Sequence, residues 1–170
     1  MNGSDVSRIR SGLLLDAVAE TGRASAYSAG TPKLVAQVLA EIPVFAGLSG
    51  RQRRRIAEQA EIAEITAGTV ILREGFTGEA AFVLLTGAAR IERGGVPVAE
   101  VESGTMLGEL SLLTGRPRSA SVIATRDLWV LRIRRATFRR LLEREPAIAV
   151  HLLETVGRRL WEAEQETATR

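Results

Sequence analysis

The residues of this 170-residue chain best able to do chemistry lie in one segment, Gly108-Glu109-Leu110-Ser111-Leu112-Leu113-Thr114-Gly115-Arg116-Pro117-Arg118-Ser119-Ala120. Its first six residues are too few and alternate too poorly for another strand, and a turn of helix opening at Gly108 would leave its first amides unpaired. Free N–H donors at the favourable end of a helix dipole suit a phosphate. Glycine at that point lets a ligand come close to the backbone. Glu109, in the first turn, can accept hydrogen bonds from paired hydroxyls such as a ribose carries. Arg118, entering the next strand after Pro117, can grip a phosphate through planar, bidentate, charge-assisted hydrogen bonds. A sugar phosphate satisfies both halves. Glu109 and Arg118 could equally pair with each other or with solvent, and spacing alone leaves that open.

Catalysis has less to work with. His151 is the single histidine, there is no cysteine, and Asp5, Asp16 and Asp127 are the only aspartates. Histidine-cluster and thiolate metal sites are therefore excluded, and no spacing suggests paired catalytic carboxylates. Ser111, Ser119 and Ser121 have no partnering base in sequence, and Gly-Glu-Leu-Ser-Leu is not a nucleophile elbow. The reading is a binding protein rather than an enzyme, with no metal and no cofactor.

The elements that must position this segment follow from periodicity. Thr31-Pro32 is an N-cap and first helical position, followed by Leu34, Val35, Val38, Leu39 and Ile42 at helical spacing up to Pro43. Ser49 and Gln52 form a capping box for a second helix whose core face is Ile56, Ala57 and Ala60. From Glu61 to Arg134 the period becomes that of short strands, punctuated by Gly68, Gly75, Gly78, Gly87, Gly94-Gly95 and Gly104. Turn residues at that density predict a compact antiparallel sandwich or barrel. Gly94-Gly95 suits a tight hairpin, and Pro97 assigns the strand after it to an edge. A short helix over 136–143 and a longer one from Pro146 follow, the latter carrying Ile148, Val150, Leu152, Leu153, Val156, Leu160 and Trp161. Gly157 interrupts that helix, which predicts a close contact or a slight bend.

The expected fold class is therefore α+β, mainly β. It has an antiparallel β jelly-roll barrel of about eight strands, flanked by N-terminal helices and two C-terminal helices. Residues 1–30 form a poorly defined extension whose one apolar cluster is Leu13, Leu14, Leu15 and Val18; residues 31–166 form the domain, with helices over 32–60, the barrel over 61–134 and C-terminal helices over 135–164. The net charge of +3 rests on 23 basic residues, of which Lys33 alone is lysine, interspersed with 20 acidic ones. Even the densest basic run, Arg51 to Arg55, is answered by Glu58 and Glu61, so a solvated helix face is preferred to a nucleic-acid patch. No apolar run reaches the ~18 residues of a membrane span, and no signal-peptide pattern opens the sequence. A cytoplasmic protein is expected, with no direct nucleic-acid or membrane binding by this domain.

The segment Gly108 to Val122 closely resembles the phosphate-binding cassette of the cyclic-nucleotide-binding family, which includes catabolite activator proteins, protein kinase A regulatory subunits and nucleotide-gated channels. The family pattern runs Gly-Glu-Leu/Ile-Ala/Ser-Leu, a variable stretch, then Pro-Arg-Ser/Thr/Ala-Ala. Ile42-Pro43-Val44-Phe45-Ala46-Gly47-Leu48-Ser49 resembles the family's entry segment, and Gly75, Gly78, Phe82 and Gly87 fall where its barrel glycines and aromatic occur. The resemblance implies that Glu109 holds the ribose 2′-hydroxyl and Arg118 the cyclic phosphate. Gly108, Leu110, Ser111, Ser119 and Ala120 complete the implied ligand site. Val83, Leu85, Leu107 and Val122 are candidate walls for the base, and Arg158, Arg159 and Trp161 candidate caps, each equally readable as core, surface or dimer contact. The implied ligand is cAMP, or alternatively cGMP, and binding would draw the last helix onto the base. After Glu164 six residues remain, too few for a helix-turn-helix module, so the effector is expected elsewhere. A homodimer through the last helix is a further implied partner. The alternative is a degenerate family member serving as a structural or dimerisation module.

Overall fold

A computed structural model of the chain describes residues 31–168. Helix α1 (Thr31–Leu39) is followed by a 3-10 helix (Pro43–Phe45) and by α2 (Gly50–Gln59). The apolar spacing read from the sequence buries Val35, Leu39, Ile42, Ile56, Ala57 and Ala60, but α1 ends before Pro43, in a turn that the 3-10 helix continues. The Ser49 capping box is complete. Ser49 Oγ accepts from the Gln52 amide at 3.3 Å, and the Ser49 amide donates to Gln52 Oε1 at 2.7 Å. This reciprocal bonding satisfies one of the unpaired amides of the first turn and fixes where α2 begins.

Eight strands follow: β1 (Glu61–Ile65), β2 (Val70–Leu72), β3 (Ala80–Leu84), β4 (Ala88–Arg93), β5 (Val96–Glu102), β6 (Met106–Leu107), β7 (Ser121–Ala124) and β8 (Leu128–Arg134). A short helix, α3 (Glu109–Thr114), separates β6 from β7, and α4 (Arg135–Arg144) and α5 (Pro146–Ala168) close the described chain. All strand pairs are antiparallel, in two four-stranded sheets ordered β1-β8-β3-β6 and β2-β7-β4-β5. The fold is mainly β with flanking helices, as expected, but the sheets are not joined into a closed barrel. β5 is an edge strand, where the missing amide of Pro97 is tolerated. The hairpin into it turns at Gly94 and Gly95, both at positive φ (55° and 79°).

Two apolar clusters hold these layers. One joins Val35, Phe45, Ile56, Leu131, Phe138 and Ile148 of the helices and of the sheet face they cover; the other joins Leu72, Leu84, Ala89, Leu107, Val122 and Leu128 between the sheets. β3 serves both because its side chains alternate: Ala81 and Val83 join the first cluster, Phe82 and Leu84 the second. The expected contact at Gly157 is not found: a Cβ there would meet nothing within 4 Å. The apolar cluster at Leu13, Leu14, Leu15 and Val18 lies outside the described residues. No helix among the described residues is long and apolar enough to cross a membrane.

Candidate functional site

The segment singled out in the sequence links β6 to β7. Gly108 caps α3 in the left-handed region (φ 79°, ψ 3°), and a Cβ at this position would lie 2.3 Å from Arg118 Nη1. Both the positive φ and the close approach therefore require glycine. The far end of α3 closes on a second left-handed glycine, Gly115 (φ 70°), whose amide donates to the Ser111 carbonyl at 3.1 Å. Ser111 Oγ donates to the Arg116 carbonyl at 2.7 Å, tying the helix to the loop that returns toward Arg118. Ser111 thus shapes the segment from inside, where it is 3% exposed.

The two charged residues are both buried: Glu109 is 2% exposed and Arg118 7%. They do not hydrogen-bond to each other. Arg118 Nη2 donates to the Ala80 carbonyl at 2.6 Å and Nη1 to the Gly108 carbonyl. Its backbone is locked as well, the amide donating to the Phe76 carbonyl and the carbonyl accepting from the Gly75 amide, both at 2.9 Å. Gly78 presses against the guanidinium so closely that a Cβ there would stand 2.1 Å from Cζ. Behind it, Arg135 Nη2 donates to the Gly78 carbonyl at 2.6 Å, and its Nε lies 3.7 Å from Glu79 Oε2. Burial lowers the Arg118 pKa from its usual value and the Arg135 cation lowers it further, while Glu109 and Glu79 oppose the shift.

Glu109 finds its partner on α5. Arg159 Nη1 donates to Glu109 Oε1 at 2.7 Å, and Nη2 reaches the Met106 carbonyl at 3.4 Å. Burial pushes the Glu109 carboxyl above its ordinary range, and the positive charge of Arg159 pulls it part of the way back. A buried carboxylate with one oxygen engaged by a cation keeps acceptor capacity on the other for a hydroxyl donor.

The remaining candidates divide. Leu110, 37% exposed, and Ser119 face outward, and Ala120 is half-buried. Leu107 and Val122 lie in the inter-sheet cluster, where Leu72 also comes within 3.3 Å of a Cβ built on Gly108. Val83 and Leu85 belong to the cluster under the helices. They lie on the other side of β3 from Leu107 and Val122, whereas Phe82 and Leu84 take the inter-sheet side. Of the three α5 candidates, Arg159 alone reaches the segment; Arg158 is exposed and Trp161 is 62% exposed. Sequence reading missed Arg135 and the Ala80 carbonyl. Gly78 is legible in the sequence as a turn glycine and a family glycine, not as a neighbour of Arg118. None of these carries a local signal, because their relation to Arg118 is created by the β3–β8 pairing and the loop before β3. Among the described residues no cluster of His, Asp or Glu could hold a metal ion.

Two four-stranded antiparallel sheets, with a short helix and a buried arginine on the link from β6 to β7, define a mainly β domain of two sheets. Residues 62–145 match the model of the cyclic nucleotide-binding domain, and over that segment the chain belongs to this family. It is 37% identical over 106 residues to a cAMP-dependent protein kinase regulatory subunit of Aspergillus niger, covering 61% of this chain and 26% of that protein. A regulatory subunit of the same description from Neurospora crassa is 39% identical over 106 residues, with 61% and 28% covered. The chain thus spans about a quarter of the length of these curated relatives. Among solved structures, the catabolite activator protein of Thermus thermophilus superposes with a TM-score of 0.69 at 30% identity, covering 75% of this chain and 62% of that one.

Proposed function

We propose that this chain binds a cyclic nucleotide, cAMP in the first instance, at Gly108 to Ala120 and acts as a regulatory sensor rather than an enzyme. The observation that carries the reading is the burial, nine residues apart, of Glu109 and Arg118 without a hydrogen bond between them. A buried guanidinium held by two backbone carbonyls retains N–H donors for an anion, and a buried carboxylate retains an acceptor for a hydroxyl. The cyclic phosphate takes Arg118 together with amides of Gly108, Glu109, Leu110, Ser119 and Ala120, and the ribose 2′-hydroxyl takes Glu109. The cAMP-dependent kinase regulators among the relatives support this choice over cGMP. Residues 31–166 form the binding unit, acting in the cytoplasm on an effector such as a kinase.

Arg159 joins the ribose site to α5, so a ligand that changes the hydrogen bonding of Glu109 changes the anchor of that helix. Ligand shifts the position of α5 only to the extent that it binds one position better than the other. Calorimetric titration with cAMP and cGMP tests the reading. Arg118→Ala should weaken cAMP binding by ~2–5 kcal/mol, since it leaves a desolvated phosphate unpaired. Glu109→Ala should cost ~1–3 kcal/mol. Unchanged affinity in Arg118→Ala would overturn the site assignment.

A dimerisation role is favoured by one specific observation: Val150, Leu153, Leu160 and Trp161 are 55%, 74%, 61% and 62% exposed on α5. Val150, Leu153 and Leu160 follow heptad a and d spacing, and Gly157 occupies the remaining a position with open space above it. A two-fold pairing of α5 helices would cover this seam. Sedimentation of the wild-type chain should give a dimer that Leu153→Glu dissociates, and a monomeric wild type would exclude it.

A further inference from the structure

Arg135 stands where its charge is badly placed. It is the first residue of α4, at the positive end of the helix dipole, where a cation is unfavourable. After burial, its charge is the second cause that lowers the Arg118 pKa, so the two cations oppose each other. Its ion pair with Glu79 is 3.7 Å long with the carboxylate side chain 75% exposed, and a contact of that kind contributes little. Hydrogen bonding, rather than charge, accounts for an arginine here. Arg135 Nη2 donates to the Gly78 carbonyl at 2.6 Å, and the Arg135 amide donates to the Glu79 carbonyl at 2.8 Å.

Those two carbonyls belong to a short piece of backbone, Gly78-Glu79-Ala80, that also supports Arg118. Gly78 lies against the guanidinium with no room for a Cβ, which would stand 2.1 Å from Cζ, and the Ala80 carbonyl accepts from Arg118 Nη2 at 2.6 Å. Glycine has the greatest backbone freedom of any residue, so the Gly78 peptide needs an outside restraint to present one surface. We propose that Arg135 is a positioning residue for Arg118: by pinning Gly78 and Glu79 from the start of α4, it fixes the surface on which the Arg118 guanidinium rests and the carbonyl that sets its plane. Of the two carbonyls that hold the guanidinium, Gly108 belongs to the cassette and Ala80 to β3, and Arg135 governs the second. The plane matters because the donors of a guanidinium form a rigid fork, which meets an anion in one orientation only. The positioning itself holds whatever Arg118 grips; its effect on affinity rests on the cyclic-nucleotide reading.

The guanidinium protons of Arg118 report its position directly, in the full chain and without ligand. Buried and held on carbonyls, they should exchange slowly with water, and their NMR signals are assigned by their absence in Arg118→Lys. Rates are taken relative to the amides of Val130 and Leu131, fully buried in β8, so that a general loosening of the fold cancels. On that scale Arg135→Ala should speed exchange of the Arg118 protons roughly three- to tenfold, the equivalent of one lost hydrogen bond. Arg135→Lys, which keeps a donor for the Gly78 carbonyl, should recover part of the protection. Calorimetry should show cAMP affinity falling by a similar factor in Arg135→Ala, and no further fall when the same substitution is made in Arg118→Ala. Unchanged exchange of the Arg118 protons in Arg135→Ala would overturn the proposal. A loss of cAMP affinity that persists undiminished without Arg118 would overturn it too, because Arg135 would then act on the ligand by another route. If the wild-type chain binds no cyclic nucleotide, the proposed function falls, while the exchange rates still decide the role of Arg135.

Discussion

Arg159→Ala isolates the link between the last helix and the buried carboxylate of Glu109. Arg159 donates to Glu109 at 2.7 Å, with the carboxylate side chain 3% exposed and the guanidinium 41%. Removing one partner of a fully buried ion pair costs about 3–5 kcal/mol. The exposed flank of Arg159 is screened by water, which reduces the expected loss to about 1–2 kcal/mol near neutral pH. The pH dependence is diagnostic. Burial raises the Glu109 carboxyl above its ordinary range and Arg159 pulls it back; in the variant that pull is gone and the folded value climbs further. A group raised in the folded state contributes stability that is complete below its unfolded pKa and lost as pH rises through the folded one. The deficit of the variant is therefore largest above the raised value and vanishes below the ordinary carboxylate range, where Glu109 is neutral in both states of both proteins. Urea unfolding of wild type and Arg159→Ala at about pH 7.5 and about pH 4.5 reads this difference. In the Glu109→Gln background, Arg159→Ala should cost little at either pH. An equal deficit at both pH values would refute the reasoning, because Arg159 would then act through packing rather than through the Glu109 charge.

Gly78→Ala should abolish cAMP binding while leaving Arg118 in the sequence, since a Cβ would stand 2.1 Å from the guanidinium and force it off its carbonyls. It should also cost about 1–3 kcal/mol of folding stability, measured by denaturation. Gly157→Ala should do the opposite and stabilise the chain by up to about 1 kcal/mol, because the position is helical, at negative φ and open above, which thermal unfolding would register.

Much of this architecture was legible before any coordinate. The capping box at Ser49 and Gln52, the glycine hairpin at Gly94-Gly95 and the turn of helix after Gly108 all depend on interactions within a few residues, and local interactions leave local patterns; the edge placement of β5 was legible because Pro97 has no amide to donate to a second neighbour. The chemistry proposed for Gly108 to Ala120, an anion grip beside a hydroxyl acceptor, was drawn from the same source: residue types at short spacing determine which ligand groups a loop can satisfy. Tertiary structure decided what those residues touch. Arg118 rests on a carbonyl 38 positions away, and Glu109 on a guanidinium 50 positions away. The alternation of β3 was visible in its sequence, but which face the helices would cover was not, and it is Ala81 and Val83 that they cover. Sheet pairing and helix packing bring together residues that share no sequence neighbourhood. For that reason Glu109 and Arg118 could be singled out from one segment, while their partners, and the connection of Glu109 to the last helix, exist only in the folded chain.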